Sequence, residues 1–222
     1  ITYNEAGLRT SINDPDYGLM QYNYNAFGEL IYQKTPKNVI TEYDYDKLSR
    51  KTHRTMKVTG SSDEITIWDY STQAGLLGTL ERIRYGSNLQ TITFQYDELL
   101  RLIGSNETFN GVTYSSSYTY DEIGRLSTET YPSGMAVKNQ YNNGGYLRAV
   151  KDLDDNVLWR ADKHDIYGHL TQFHTGNGLT TYRDYDSENG RLLGIITSDG
   201  RNLLQNYAYT YDDFGNFASR KK

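Results

Sequence analysis

Tyr120-Asp121-Glu122-Ile123-Gly124-Arg125-Leu126 decides how this chain folds, because the pattern it spells, Tyr-[Asp/Asn]-x-x-Gly-x-Leu, returns along the sequence. Full copies are Tyr24-Asn25-Ala26-Phe27-Gly28-Glu29-Leu30, Tyr141-Asn142-Asn143-Gly144-Gly145-Tyr146-Leu147 and Tyr211-Asp212-Asp213-Phe214-Gly215-Asn216-Phe217. Looser copies lie between them: Tyr3-Asn4 with Gly7, Tyr45-Asp46 with Ser49, Tyr96-Asp97 with Leu100, and Tyr185-Asp186 with Gly190 one residue late. A histidine opens the copy His164-Asp165-Ile166-Tyr167-Gly168-His169-Leu170, and near residue 70 the pattern erodes to Tyr70, Gly75 and Leu80. The starts at 3, 24, 45, about 70, 96, 120, 141, 164, 185 and 211 define ten units of about 23 residues, a period typical of repeat architectures.

Ahead of each Tyr-Asp pair the aromatics share parity: Tyr22 with Tyr24, Tyr43 with Tyr45, Phe94 with Tyr96, Tyr118 with Tyr120, and Tyr207 and Tyr209 with Tyr211. A period of two is that of a β-strand with one apolar face. The Asp or Asn that follows accepts hydrogen bonds from backbone N–H groups two residues on, and the later Gly supplies the positive φ that closes a tight hairpin or G1 bulge. A second set of turn formers falls midway through the units, among them Thr35-Pro36-Lys37-Asn38, Asn110-Gly111, Pro132-Ser133-Gly134 and Ser198-Asp199-Gly200. Each unit is therefore expected to be one hairpin, with two strands of about eight residues. An isolated hairpin is marginal in water, so neighbours must pair edge to edge. The expected fold is all-β: tandem hairpins in one array over residues 1–222, forming a coiled antiparallel ribbon whose twist makes it part of a hollow spiral or barrel-like shell.

Composition agrees with sheets. The chain has 222 residues, 36% hydrophobic and 23% charged, and its aromatics are 22 Tyr against 6 Phe and 2 Trp. Tyrosine suits a half-buried pleated surface because its ring packs while its hydroxyl still reaches a partner. The absence of cysteine excludes disulfide and Cys-based zinc frameworks. A formal charge of −5 argues against a nucleic-acid binder. No apolar run approaches a spanning helix, and no leader-like segment opens the chain. It begins inside one repeat and ends inside another, so it is expected to be a piece of a longer polypeptide.

On these motifs the chain resembles the YD-repeat or RHS family over essentially its whole length. That family includes the B and C components of bacterial Tc toxins, Rhs effectors, wall-associated repeat proteins and teneurins. The residues that carry the likeness are Tyr24, Asn25, Gly28 and Leu30; Tyr45 and Asp46; Tyr96 and Asp97; and Tyr120, Asp121, Gly124, Arg125 and Leu126. They continue with Tyr141, Asn142, Gly145 and Leu147; Tyr185 and Asp186; and Tyr211, Asp212 and Gly215. The resemblance implies a secreted or cell-surface protein with a hairpin ribbon that walls off an effector polypeptide, and no enzymatic activity or cofactor in the ribbon itself. The implied partners are the remaining repeats of the parent chain and the enclosed effector; open edge strands are expected to self-associate. Family shells often close with an Asp-Pro-x-Gly-type self-cleaving core. Asp14-Pro15-Asp16-Tyr17-Gly18 carries an extra residue and precedes nine repeats, so it reads as a turn.

Catalysis by paired carboxylates needs one asymmetric constellation, whereas acids recurring in every unit are accounted for by turns. His164, His169 and His174 recur every five residues, and on a straight strand that odd spacing turns His169 away from the other two, against a metal site. Asp152-Leu153-Asp154-Asp155-Asn156 lacks the Gly and distal Glu of a calcium loop, and Gly75-Leu76-Leu77-Gly78 lacks the Lys-Ser/Thr of a phosphate loop. The rival reading is an extracellular adhesion or carbohydrate-binding module, with Trp68 and Trp159 as candidate contacts to surface glycans. The basic run Arg50-Lys51-Thr52-His53-Arg54 reads as a solvated face.

Overall fold

A computed structural model describes residues 1–86 and 90–222. Its regular structure there is all strand, in two compact units, Ile1–Ser117 and Tyr118–Lys222. The first unit holds β1 (Thr2–Tyr3), β2 (Arg9–Asp14), β3 (Gly18–Tyr24), β4 (Leu30–Lys34), β5 (Ile40–Tyr45) and β6 (Lys51–Lys57). It continues with β7 (Glu64–Tyr70), β8 (Leu80–Tyr85), β9 (Gln90–Tyr96), β10 (Leu102–Phe109) and most of β11 (Val112–Tyr120). The second unit contains β12 (Leu126–Thr130), β13 (Ala136–Tyr141), β14 (Leu147–Lys151), β15 (Val157–His164) and β16 (Leu170–Thr175). After these come β17 (Thr180–Tyr185), β18 (Leu192–Ser198), β19 (Leu203–Tyr211) and β20 (Phe217–Lys221).

Within each unit every strand pairs antiparallel with the strand before and the strand after it, a plain meander. The all-β class and the tandem hairpins follow the sequence expectation. The strands differ from it in length: apart from β1 they run from five to nine residues rather than a uniform eight. Turns and bulges consume the difference. At Tyr24↔Leu30, Tyr45↔Lys51, Tyr70↔Leu80, Tyr141↔Leu147 and Tyr211↔Phe217 the register shifts beside the signature tyrosine, so a β-bulge recurs at the same place in successive hairpins.

One face of the ribbon is drier than the other. Along β19, Gln205, Tyr207, Tyr209 and Tyr211 are half-buried while Asn206, Ala208 and Thr210 are exposed; β3 alternates likewise, with Tyr22 buried. The apolar core is thin. Only Tyr22, Ala136, Val137 and Ala149 are buried among the described apolar residues, so lateral contact between adjacent strands does most of the packing. Thr181 and Thr197 are buried on the tyrosine face, and their hydroxyls satisfy each other at 2.9 Å, with Gln205 accepting from Thr197 at 3.0 Å.

The turns are built as the Tyr-Asp pattern requires. At Asp121 the main-chain N–H donates to the Arg125 carbonyl at 2.9 Å, and Gly124, with φ of 84°, donates back to the Asp121 carbonyl at 2.9 Å. Ser49 and Leu100 stand in the glycine position and are forced into the same left-handed backbone, with φ of 61° and 60°. A side chain there costs about 1–2 kcal/mol, of which the greater unfolded-state freedom of glycine returns part. Leu100→Gly and Ser49→Gly are therefore expected to stabilise the chain by about 0.5–1 kcal/mol each, seen as a rise in the denaturation midpoint at unchanged m value. Asp14-Pro15-Asp16-Tyr17 is a turn, with the Asp14 Oδ1 accepting from the N–H of Asp16 at 2.9 Å and of Tyr17 at 2.8 Å.

Candidate functional site: the joint between hairpins

The repeated residues meet where one hairpin joins the next. The Asp at the start of the turn is committed to it: Asp121 Oδ1 accepts from the N–H of Ile123 at 3.1 Å and of Arg125 at 2.8 Å, while Oδ2 accepts from Arg125 Nε at 2.7 Å. Asp46 with Arg50 and Asp97 with Arg101 repeat the arrangement, and Asp212 with Asn216 supplies an amide in place of the guanidinium. These bonds hold the carboxyls below the ordinary carboxylate range. For Asp46 and Asp97 the side-chain bond from arginine dominates, and for Asp121 the backbone N–H of Arg125 does. A carboxylate committed in this way is a turn element.

The arginine then reaches forward. Its guanidinium lies over the signature tyrosine of the following hairpin: Arg50, held by Asp46, over Tyr70 at 4.1 Å, Arg125, held by Asp121, over Tyr141 at 4.3 Å, and Arg191 over Tyr211 at 5.6 Å. His169 takes the same place in its hairpin, held by Asp165 at 2.7 Å and stacked on Tyr185 at 4.7 Å. The tyrosine reaches back. Its hydroxyl donates to a main-chain carbonyl at the start of the preceding hairpin's second strand: Tyr24 to Arg9, Tyr45 to Leu30, Tyr96 to Leu80 and Tyr211 to Leu192, each at 2.9 Å. Tyr70 donates to Lys51 at 3.1 Å and Tyr141 to Leu126 at 2.8 Å. The joints at Tyr70, Tyr141 and Tyr211 combine a cation–π contact of about 0.5–1 kcal/mol with a hydrogen bond of about 1 kcal/mol. Burial raises the Tyr45 and Tyr96 phenols above their ordinary range, with Glu29 adding to the effect at Tyr45.

The glycine of the turn leaves room for this. A Cβ on Gly215, whose φ is +85°, would lie 2.0 Å from the Arg191 guanidinium that covers Tyr211. Gly215→Ala is thus expected to cost about 2 kcal/mol through backbone strain and displacement of Arg191, read as a lowered urea midpoint; an unchanged midpoint would mean that this terminal joint is not formed in solution.

The other sequence candidates are dispersed. Trp68 sits on β7 opposite Ile83, and Trp159 on β15 with its ring 6.2 Å from Phe173; both are half-buried by strand neighbours. The basic run is divided among separate partners: Arg50 pairs with Asp46, Lys51 lies over Tyr43 at 4.6 Å, and Arg54 is half-buried. The histidines do not share a straight strand. His164 ends β15, His169 closes the turn, and His174 on β16 pairs with Asp162, which Arg160 also contacts at 2.7 Å. Among the described residues no three His, Asp or Glu side chains converge as a metal site. Asp121 and Arg125 were readable as repeat positions, whereas the backbone carbonyl that receives the tyrosine hydroxyl has no side-chain signature in the sequence.

No family model matches the chain. A toxin subunit of Yersinia entomophaga, YenC1, is 27% identical over 106 residues, covering 43% of this chain and 11% of the relative. Among solved structures, TcdB2-TccC3-Cdc42 superposes with a TM-score of 0.77 at 18% identity over 97% of this chain. The Photorhabdus luminescens Tc holotoxin pore superposes with a TM-score of 0.73 at 19% identity over the same share. The chain covers 12% of each of those chains, so it corresponds to a short length of a much larger fold.

Proposed function

With the repeat signature and the hairpin fold both those of the YD-repeat (RHS) proteins that it resembles, we propose that this chain is a length of wall: a structural segment of a secreted toxin-type protein whose ribbon encloses an effector polypeptide. The observation that carries the proposal is the joint itself. At Asp121, Arg125 and Tyr141 the signature residues of the repeat are spent on holding one hairpin to the next, the Asp on its turn, the Arg on the next tyrosine, the tyrosine on the previous backbone. Such a structure extends indefinitely by adding units, which suits containment. The similarity to a toxin subunit and to Tc toxin structures supports the same reading. The partners in this reading are the remaining repeats of the parent chain and the enclosed effector.

Limited proteolysis of the full-length parent tests it. An enclosed effector is expected to resist protease while the native ribbon stands and to be degraded once mild denaturant opens the joints. Degradation of the rest of the parent at equal rates with and without denaturant would defeat the proposal.

A further inference from the structure

The place after the turn glycine, which holds Arg50, Arg125 and Arg191 over the next tyrosine, is filled by Leu8, Glu29, Thr79, Tyr146 or Asn216 in other units. At Thr79 the result is an open cleft of about 310 Å³, bordered by Ser71, Leu76, Thr79, Glu81, Phe94 and Tyr96. Tyr96 keeps its half of the clamp, donating its hydroxyl to the Leu80 carbonyl at 2.9 Å. Thr79 does not supply the other half: its hydroxyl turns back to the Leu76 carbonyl at 2.8 Å. Ser71 stands where other turns carry the aspartate, so this turn brings no charge of its own to the joint. Among the described residues no cation lies over the Tyr96 ring.

We propose that this cleft binds the guanidinium of an arginine on a separate polypeptide segment, seated over Tyr96 as the chain's own arginines are seated over Tyr70 and Tyr141. The cleft has the two features such a group needs. One is aromatic: Phe94 and Tyr96 stand on the same face of β9 and both border the cleft. The other is a counter-charge. The pairing of Arg82 with Thr93 sets Glu81 opposite Phe94, and Glu81 is exposed and makes no hydrogen bond or ion pair among the described residues. The cations nearby are committed elsewhere. Arg82 and Arg84 both bind Asp69 at 2.9 Å, and Arg50 lies over Tyr70 and donates to the Gly78 carbonyl at 2.9 Å. A carboxylate beside aromatic rings favours a planar, weakly hydrated cation, which can stack and pair at once, and it repels an anion. The inference goes beyond the wall reading and does not depend on it, since it concerns one joint whatever the ribbon encloses.

The test is an NMR chemical-shift titration of the isotope-labelled whole chain with N-acetyl-arginine amide, against N-acetyl-citrulline amide as a neutral analogue of the same shape. The arginine probe is expected to move the amide signals of Leu80, Glu81 and Tyr96 saturably, and the citrulline probe to leave them in place. The peptide acetyl-Gly-Gly-Arg-Gly-Gly-amide should bind at least as well as the single residue. Glu81→Gln, at an exposed position, should weaken binding by ~5-fold. Thr79→Arg gives this unit the side chain that Arg125 provides in its own, and should abolish binding by covering Tyr96 from within. Glu122→Gln, an exposed carboxylate at the tip of another hairpin, should change nothing. No saturable shift, an equal response to citrulline, or binding that survives both Glu81→Gln and Thr79→Arg overturns the proposal. So does binding of the single residue with exclusion of the peptide, which would give the cleft to a small free cation. None of these results bears on whether the ribbon encloses cargo.

Discussion

Tyr141→Ala is expected to destabilise its surroundings by about 3 kcal/mol, and Tyr141→Phe by about 1 kcal/mol. The alanine substitution removes the half-buried ring, the 4.3 Å contact with the Arg125 guanidinium and the 2.8 Å bond to the Leu126 carbonyl; the phenylalanine removes only the bond. The loss should also be local. Within a unit each strand pairs only with its sequence neighbours, so stability is a sum of hairpin terms and nearest-neighbour joint terms. Hydrogen exchange is expected to speed up in β12 and β13 while amides of β18 and β19 keep their protection. Uniform acceleration along the chain would show that the joints act as one cooperative block instead.

Acid should loosen the aspartate turns together. Asp46, Asp97, Asp152 and Asp212 are lowered chiefly by side-chain hydrogen bonds from Arg50, Arg101, Asn156 and Asn216. Asp121 and Asp186 are lowered first by backbone N–H groups, and Asp199 reaches about 2 through Asn202. A carboxyl whose folded value lies below its unfolded one adds stability that is fully present above the unfolded value of about 4 and is lost as pH falls through the folded value. The denaturation midpoint is therefore expected to be flat between about pH 7 and 5 and to fall steeply below about 4. Because so many turns share the same chemistry, the drop should exceed that of any single Asp→Asn variant. Asn25 and Asn142 show why one substitution is mild: each accepts the same backbone N–H bonds through Oδ1. A midpoint that stays level to pH 3 would contradict the turn assignment.

Much of the fold was legible because it rests on local chemistry. Tyrosine parity announced the strands, Asp with Gly announced the turns, and the interval between copies announced the hairpins. Even the eroded copy kept its joint. The segment after Tyr70 makes a long turn closed by Ser71 N–H to the Thr79 carbonyl at 2.8 Å, yet Tyr70 still pairs with Leu80 and still donates to Lys51. What sequence could not show depends on register. The carbonyl of Leu126 lies 15 residues before Tyr141 and meets its hydroxyl only because the strands between pair in the observed register, with a bulge beside Tyr141. The role of Arg125 was hidden for the same reason: it belongs to its own turn by sequence and to the next tyrosine in space. Parity along a straight strand does not fix how His164 and His169 face, because a hairpin turn falls between them. Trp68 and Trp159 stand out in the sequence by residue type alone, and the strands that half-bury both are set by register.

The central claim, that the ribbon is a wall around a polypeptide, is tested most directly by electron cryo-microscopy of the full-length parent, with the interior of the repeat ribbon as the region of interest. The account predicts density for a chain enclosed by the ribbon and not belonging to its hairpins. A solid interior filled by the ribbon's own side chains, with binding surfaces only on the outside, would contradict it.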